Sequence, residues 1–386
     1  MLNNYMGVLL LGEDDTDIRG LTKNRSIASI PIGGRYRVID FALSNLTNAG
    51  VTNIGLYTKK INSRSLVDHL GDGSPWDLDR KRDGLFLFHA SGATEGGITD
   101  VTNLKNNLEY LYRSKQEHVI VATSYMVCNM NLKEMIRVHE ESGADITMAY
   151  KTVDNADIAF ENCDTVKVGE DNNIIGIGKN LHFRKRENIS METFILSKEH
   201  LIRFLGESTQ GGEYKNIRDL LTVSRGELVV KGYEFDGYLK CINSTKQYYD
   251  LNMDILDGDI RRDLFFKNGR IFTKIKDTPP TKFTTGSKVT NSLVANGSLI
   301  DGRVTNSVVA RHVRIEEGAE IENCIILQDC KIGKDAKLKN VIIDKNTVIN
   351  SGEELKAAKE FPLVIEKKVG ISTEAFRELY WPLEDI

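Results

Sequence analysis

No apolar run in the 386 residues approaches the length needed to cross a bilayer, and the stretch Gly7-Val8-Leu9-Leu10-Leu11 is far too short. It also lacks the basic flank and small-residue cleavage site of a secretory signal. An excess of charge of one sign is missing as well. The formal net charge of −4 gives no reason to expect nucleic acid or an anionic membrane as the main partner. Cysteine is scarce, odd in number and scattered, at Cys128, Cys163, Cys241, Cys324 and Cys330. Such usage argues against a disulfide framework and fits a reducing, cytoplasmic compartment. Cys324 and Cys330 are the nearest approach to zinc-ligand spacing, and neither has a His or Cys of the right kind beside it, so no metal site is assigned. What remains is an ordinary globular balance, 40% hydrophobic and 27% charged, in a chain long enough for two domains.

The first part alternates short apolar runs with helical patterns. Gly7 to Leu11 reads as a buried strand, followed by a long polar loop from Gly12 to Gly34. Tyr36 to Ala49 places Ile39, Leu43 and Leu46 at helical spacing and stops at Gly50. Strands are expected at Asn53 to Tyr57, His118 to Val121 and Asp145 to Ala149, with an amphipathic helix from Asn131 to Glu141. This alternation argues for a parallel sheet with helices on both faces. Ligands of such sheets sit beyond the carboxyl ends of the strands, which directs attention to the loop after the first one.

Past a charged linker at 257–286, which contains Pro279-Pro280, the pattern changes. One phrase recurs four times, beginning at Val289, Val304, Ile321 and Leu338, with spacings of 15, 17 and 17 residues. Three short strands per turn, each about six residues, give a coil of that size, the hexapeptide parallel β-helix. Stacked aliphatic residues would form its continuous core. The expected division is therefore 1–256, a linker at 257–286, and a β-helix with its tail over 287–386. The tail after Asn350 returns to a mixed pattern with Trp381 near its end, read as packing on the helix end or a partner.

The run Gly33-Gly-Arg-Tyr-Arg-Val-Ile-Asp-Phe-Ala-Leu-Ser-Asn-Leu-Thr-Asn-Ala-Gly50 closely resembles the stretch after the phosphate loop in bacterial glucose-1-phosphate adenylyltransferases. Ser190-Met191 and Tyr248-Tyr-Asp-Leu-Asn-Met-Asp254 resemble later segments of the same family, so the likeness covers essentially the whole chain. It implies an α/β fold: a Rossmann-like nucleotidyltransferase domain with a mostly parallel sheet, followed by a C-terminal left-handed parallel β-helix. It also implies a reaction in which a sugar phosphate attacks the α-phosphorus of ATP. Such chemistry needs backbone donors, protein cations and Mg²⁺ held by carboxylates.

The positions that would carry this chemistry are altered. The family's glycine-rich loop corresponds to Gly12-Glu13-Asp14-Asp15-Thr16-Asp17, with Asp17 at the arginine position and four carboxylates in five residues. Each close like-charge pair costs about 1 kcal/mol in water and about 4 at a protein surface. Ile27 falls where the family has a phosphate-facing lysine. Tyr125 and Cys241 fall where it has its two metal-binding aspartates. No catalytic residue is assigned, and no cofactor is expected in this chain, Mg²⁺ belonging to the active relatives. Lys179 and Ser190 match family sugar-site residues and are read as a vestigial substrate site. Arg35, Arg37, Arg311 and Arg314 are candidates for binding a phosphorylated effector.

The resemblance is to the divergent GlgD-type chain that some glycogen-forming bacteria carry beside a catalytic chain. It implies a regulatory, catalytically impaired subunit in a hetero-oligomer, a tetramer, with the catalytic chain as partner. The alternative is an active adenylyltransferase with an altered site. A third reading, from another class, is a hexapeptide-repeat acyltransferase with His312 as its candidate base.

Overall fold

A computed structural model describes residues 4–58, 63–90, 99–207, 217–219 and 228–367. Trp381 lies outside them. The buried run Tyr5–Leu11 is the centre of a mixed sheet. It pairs in parallel with Asn53–Thr58 on one side and with His118–Thr123 on the other. Gly84–His89 extends the parallel part beyond Asn53–Thr58. Glu187–Ser197 runs antiparallel to His118–Thr123 and carries Ile146–Val153 and Asp164–Val168 as further neighbours. Strands buried on both faces read as continuous apolar runs, which is why Tyr5–Leu11 shows no alternation. One core lies on each face of the sheet. The helices Val38–Asn48 and Leu132–Ser142 bring their apolar stripes to one of them.

The segment after the first strand is less polar than its composition suggests. It contains short helical pieces at Thr16–Ile18, Arg19–Thr22 and Ile27–Ser29, and a strand at Pro31–Ile32. Ile18, Leu21, Ile27, Ala28, Ile30 and Ile32 are all buried. The expectation of a polar loop from Gly12 to Gly34 is corrected accordingly: these residues recur at no fixed period, so no window reveals them.

Within 257–286 the chain forms the helix Gly258–Phe266, with Leu264 and Phe265 buried, and the short strand Lys282–Phe283. That strand opens a left-handed parallel β-helix of three five-stranded sheets. The aliphatic residues that open the repeats stack in register, Val289 on Val304, Val304 on Ile321, Ile321 on Leu338. Leu355 continues the column, and Glu354–Lys356 and Leu363–Ile365 complete a fifth coil. The reading that repeats end at Asn350 is thereby extended. The residues between those two strands separate them and hide the last copy.

The asparagine of each repeat has a backbone reason. Asn291, Asn306, Asn323 and Asn340 all adopt positive φ, between 43° and 55°. Asparagine tolerates this left-handed conformation better than most residues. Its amide also bridges coils, from Asn291 Nδ2 to Asn306 Oδ1 at 2.8 Å and from Asn323 Nδ2 to Asn340 Oδ1 at 3.2 Å.

The two domains share a core. Ile325, Leu327 and Ile342 of the β-helix pack with Ile18, Leu21, Tyr248 and Tyr249 of the first domain. Arg25 and Asp344, each 4% exposed, form an ion pair across this interface.

Candidate functional site

Beyond the carboxyl ends of Tyr5–Leu11 and His118–Thr123 lies a cavity of about 420 Å³. Glu13, Asp17, Tyr125, Cys163, Lys179 and Glu192 are among its lining residues. The place matches the expectation for an open α/β sheet.

The acidic loop is not simply solvated. Glu13 turns inward and accepts hydrogen bonds from the Ser124 backbone N–H at 3.1 Å and its hydroxyl at 2.7 Å. Burial raises its pKa, against the lowering effect of the hydrogen bonds from Ser124. Asp14 accepts from the Thr16 N–H at 3.0 Å and from its hydroxyl at 2.6 Å, an Asx turn that shapes the loop. Asp17 faces the cavity.

Opposite, the Tyr125 hydroxyl donates to Glu192. Burial pushes the Glu192 carboxyl up to about 7, against the lowering effect of that hydrogen bond. Burial likewise raises the Tyr125 phenol, with Glu192 adding to it. Glu192 sits on an irregularity of the strand Glu187–Ser197, where pairing shifts between Ser190 and Phe194. Its φ is 48°, a conformation glycine adopts freely and glutamate at a cost of about 1–2 kcal/mol. Glu192 stands where the family resemblance places a glycine, the residue to which this φ comes without strain.

Beneath Tyr125, Cys241 is fully buried, with its sulfur 3.4 Å from that of Cys163. The donor set does not suit Mg²⁺. A phenol already donating to a carboxylate and a thiol against a second thiol are poor substitutes for hard oxygen ligands. Among the described residues no group of three His, Cys, Asp or Glu side chains is arranged to hold a metal ion.

Of the sugar-site candidates, Lys179 lines the cavity and is tied down. It pairs with Asp164 at 2.7 Å and donates to the Asn162 carbonyl at 2.8 Å. Arg218 reaches the same Asp164 oxygen at 2.6 Å. Ser190 is buried behind the cavity wall, where its hydroxyl accepts from the Glu192 N–H at 3.2 Å. Ile27 is elsewhere, in the core shared by the two domains. Sequence reasoning missed Asp164 and Arg218, which carry no motif, and the inward turn of Glu13.

The arginine candidates lie apart from this cavity, and only some meet. The Gly33–Arg35 turn packs on the β-helix, where a side chain at Gly34 would meet the Val309 carbonyl at 2.9 Å. Burial, then Arg35 nearby, lowers the Arg311 pKa. Arg37 donates to the Ser65 carbonyl at 2.6 Å, and burial followed by the charge of Arg25 brings it down to about 10. Lys345, from the β-helix, is lowered to about 8 by burial and by Arg25, Arg37 and Lys367. Arg314 pairs with Glu316 at 3.7 Å within the β-helix. The domain interface is thus crowded with cations, and Arg25, Lys345 and Lys367 are members that the sequence did not single out. His312 occupies a coil turn at φ 56°, over Gly297.

Residues 6–159 match the nucleotidyl transferase family, and residues 279–360 the GlmU-like C-terminal hexapeptide family. Over 326 residues the chain is 33% identical to the glycogen biosynthesis protein GlgD of Bacillus subtilis (strain 168), covering 83% of this chain and 84% of that protein. The chain belongs to the family of GlgD and the glucose-1-phosphate adenylyltransferases. The GlgD of Geobacillus stearothermophilus is 34% identical over 370 residues, 95% of this chain and 97% of its own. A glucose-1-phosphate adenylyltransferase of Clostridium novyi (strain NT) is 29% identical over 321 residues, 80% and 82% of the two chains. The match to the Geobacillus protein, over 95% of this chain, spans both domains. No helix among the described residues is long and apolar enough to cross a membrane.

Proposed function

We propose that this chain is a regulatory, catalytically impaired subunit of glucose-1-phosphate adenylyltransferase in glycogen biosynthesis, acting in the cytoplasm as part of a hetero-oligomer, a tetramer, with a catalytic chain. The observation that carries this reading is the pair Tyr125 and Cys241. Where the resemblance calls for metal-binding carboxylates, one side chain is a phenol bonded to Glu192 and the other a buried thiol. Loss of those carboxylates forfeits several kcal/mol of charge stabilisation, roughly a thousandfold in rate or more. The identity with proteins named GlgD supports the placement in glycogen biosynthesis.

Regulation requires that binding here alter a catalytic neighbour. A coupling free energy of about 1–3 kcal/mol is enough. The cations at the domain interface suit a sugar-phosphate effector, since phosphate oxygens pair well with arginine forks. The test is co-expression with a catalytic chain, followed by size-exclusion chromatography and kinetics of ADP-glucose formation. Co-elution with a changed turnover or effector response is expected. Separate elution, or identical kinetics at saturating ratio, overturns the proposal.

A further inference from the structure

Cys163 and Cys241 are distant in sequence and adjacent in space, their sulfurs 3.4 Å apart. The other three cysteines are placed differently. Cys128 lies by the Asn45 amide, Cys324 donates to the Glu322 carbonyl, and Cys330 donates to the Asp344 carbonyl. A disulfide needs about 2 Å between sulfurs, so this pair must close by a little over 1 Å.

The two members of the pair are not equivalent. Cys163 lines the cavity, and Cys241 lies behind it. Cys163 is presented by a tight turn in which Phe160 and Asn162 have φ of 58° and 57°. The turn is held by the Asn180 N–H, which donates to the Cys163 carbonyl at 2.9 Å, and by the Asn180 side-chain amide, which donates to the Ala156 carbonyl at 2.8 Å. Cys241 ends the strand Leu239–Cys241, which is paired with Met126–Cys128. Burial raises the Cys241 thiol well above its usual range, and its hydrogen bond with Cys163 adds to this. Both thiols are buried, and Cys163 is the one at the cavity wall.

We propose that Cys163 and Cys241 form an oxidisable dithiol, a modification site that takes hydrogen peroxide from the cavity and closes to an intramolecular disulfide. The Cys163 sulfur attacks the peroxide, forming an S–O bond as the O–O bond breaks, and the leaving hydroxide takes the Cys163 thiol proton to become water. The Cys241 sulfur, giving up its proton, then attacks the Cys163 sulfur. The S–S bond forms, the S–O bond breaks, and a second water leaves. Two thiols lose two electrons and one peroxide becomes two waters. A dithiol reductant reverses the change. The cross-link ties the turn at Cys163 to the strand end at Cys241 on one wall of the cavity, and by closing a 78-residue separation it stabilises the fold.

The experiment uses the full chain treated with hydrogen peroxide, followed by thiol titration under denaturing conditions and peptide mapping. The thiol count falls from five to three, and one peptide linkage joins Cys163 to Cys241. The melting temperature rises, and dithiothreitol restores all three readings. A Cys241→Ser variant leaves Cys163 without its resolving partner, so its peptide gains oxygen as sulfinic acid instead. The native-chain measurements stand even where that variant fails to fold. A count that stays at five, a linkage between any other pair, or Cys163 driven to sulfinic acid in the unsubstituted chain overturns the proposal.

Discussion

Glu192 offers a quantitative test of how the cavity is built. Its carboxyl is raised from 4.5 to about 7, chiefly by burial. Each tenfold change in acid strength is worth about 1.4 kcal/mol, so the displacement amounts to about 3 kcal/mol. Its place at the wall of an open cavity admits some solvent, which reduces the expected effect to about 1–2 kcal/mol. The sign follows from linkage. Below pH 4.5 the group is protonated in both folded and unfolded chains and costs nothing. As pH rises toward 7 the unfolded chain ionises first, and the folded state bears the full cost above that pH. Glu192→Gln keeps the shape, the strained φ and an acceptor for Tyr125 while removing the charge. In urea unfolding, the variant's stability relative to the parent should rise by about 1–2 kcal/mol between pH 5 and pH 8. A difference that stays flat, or moves the other way, refutes burial as the dominant influence and makes Glu192 a stabilised carboxylate.

Three other perturbations follow from named contacts. Asp344→Asn strips the counter-ion from buried Arg25, with Arg37 and Lys345 close by, and should cost about 3–5 kcal/mol by thermal or denaturant unfolding. Asn306→Ala should cost about 1 kcal/mol through its positive φ, while Asn306→Gly, free of that strain, should cost less in the same melts. If the interface cations take a sugar phosphate, Lys345→Met should abolish the rise in melting temperature on titration with it. In the unsubstituted chain the affinity should fall as pH climbs through about 8, where Lys345 loses its proton.

Much of the architecture was readable because its signals are local. The aliphatic column Val289, Val304, Ile321 and Leu338 repeats at nearly constant spacing, and the register pairs those same residues. Leu355 belongs to the column and escaped, since the residues after it break the phrase. The buried residues from Ile18 to Ile32 escaped for a related reason: they pack against a second domain and follow no period of their own. At the cavity, Tyr125, Cys241 and Glu192 could be singled out by resemblance, but the contacts they make could not. Glu192 and Cys163 meet Tyr125 and Cys241 only through strand pairing and a turn, and Asp164 gathers Lys179 and Arg218 from separate segments. The cations from Arg25 to Lys367 meet only once the β-helix docks on the first domain.

Adenylyl transfer by the purified chain alone, with ATP, Mg²⁺ and glucose 1-phosphate, bears most directly on whether Tyr125 and Cys241 have replaced a working metal site. Turnover about a thousandfold or more below that of a catalytic chain under the same conditions is expected. Turnover within about tenfold of that chain, less than about 1.4 kcal/mol of lost transition-state stabilisation, contradicts it.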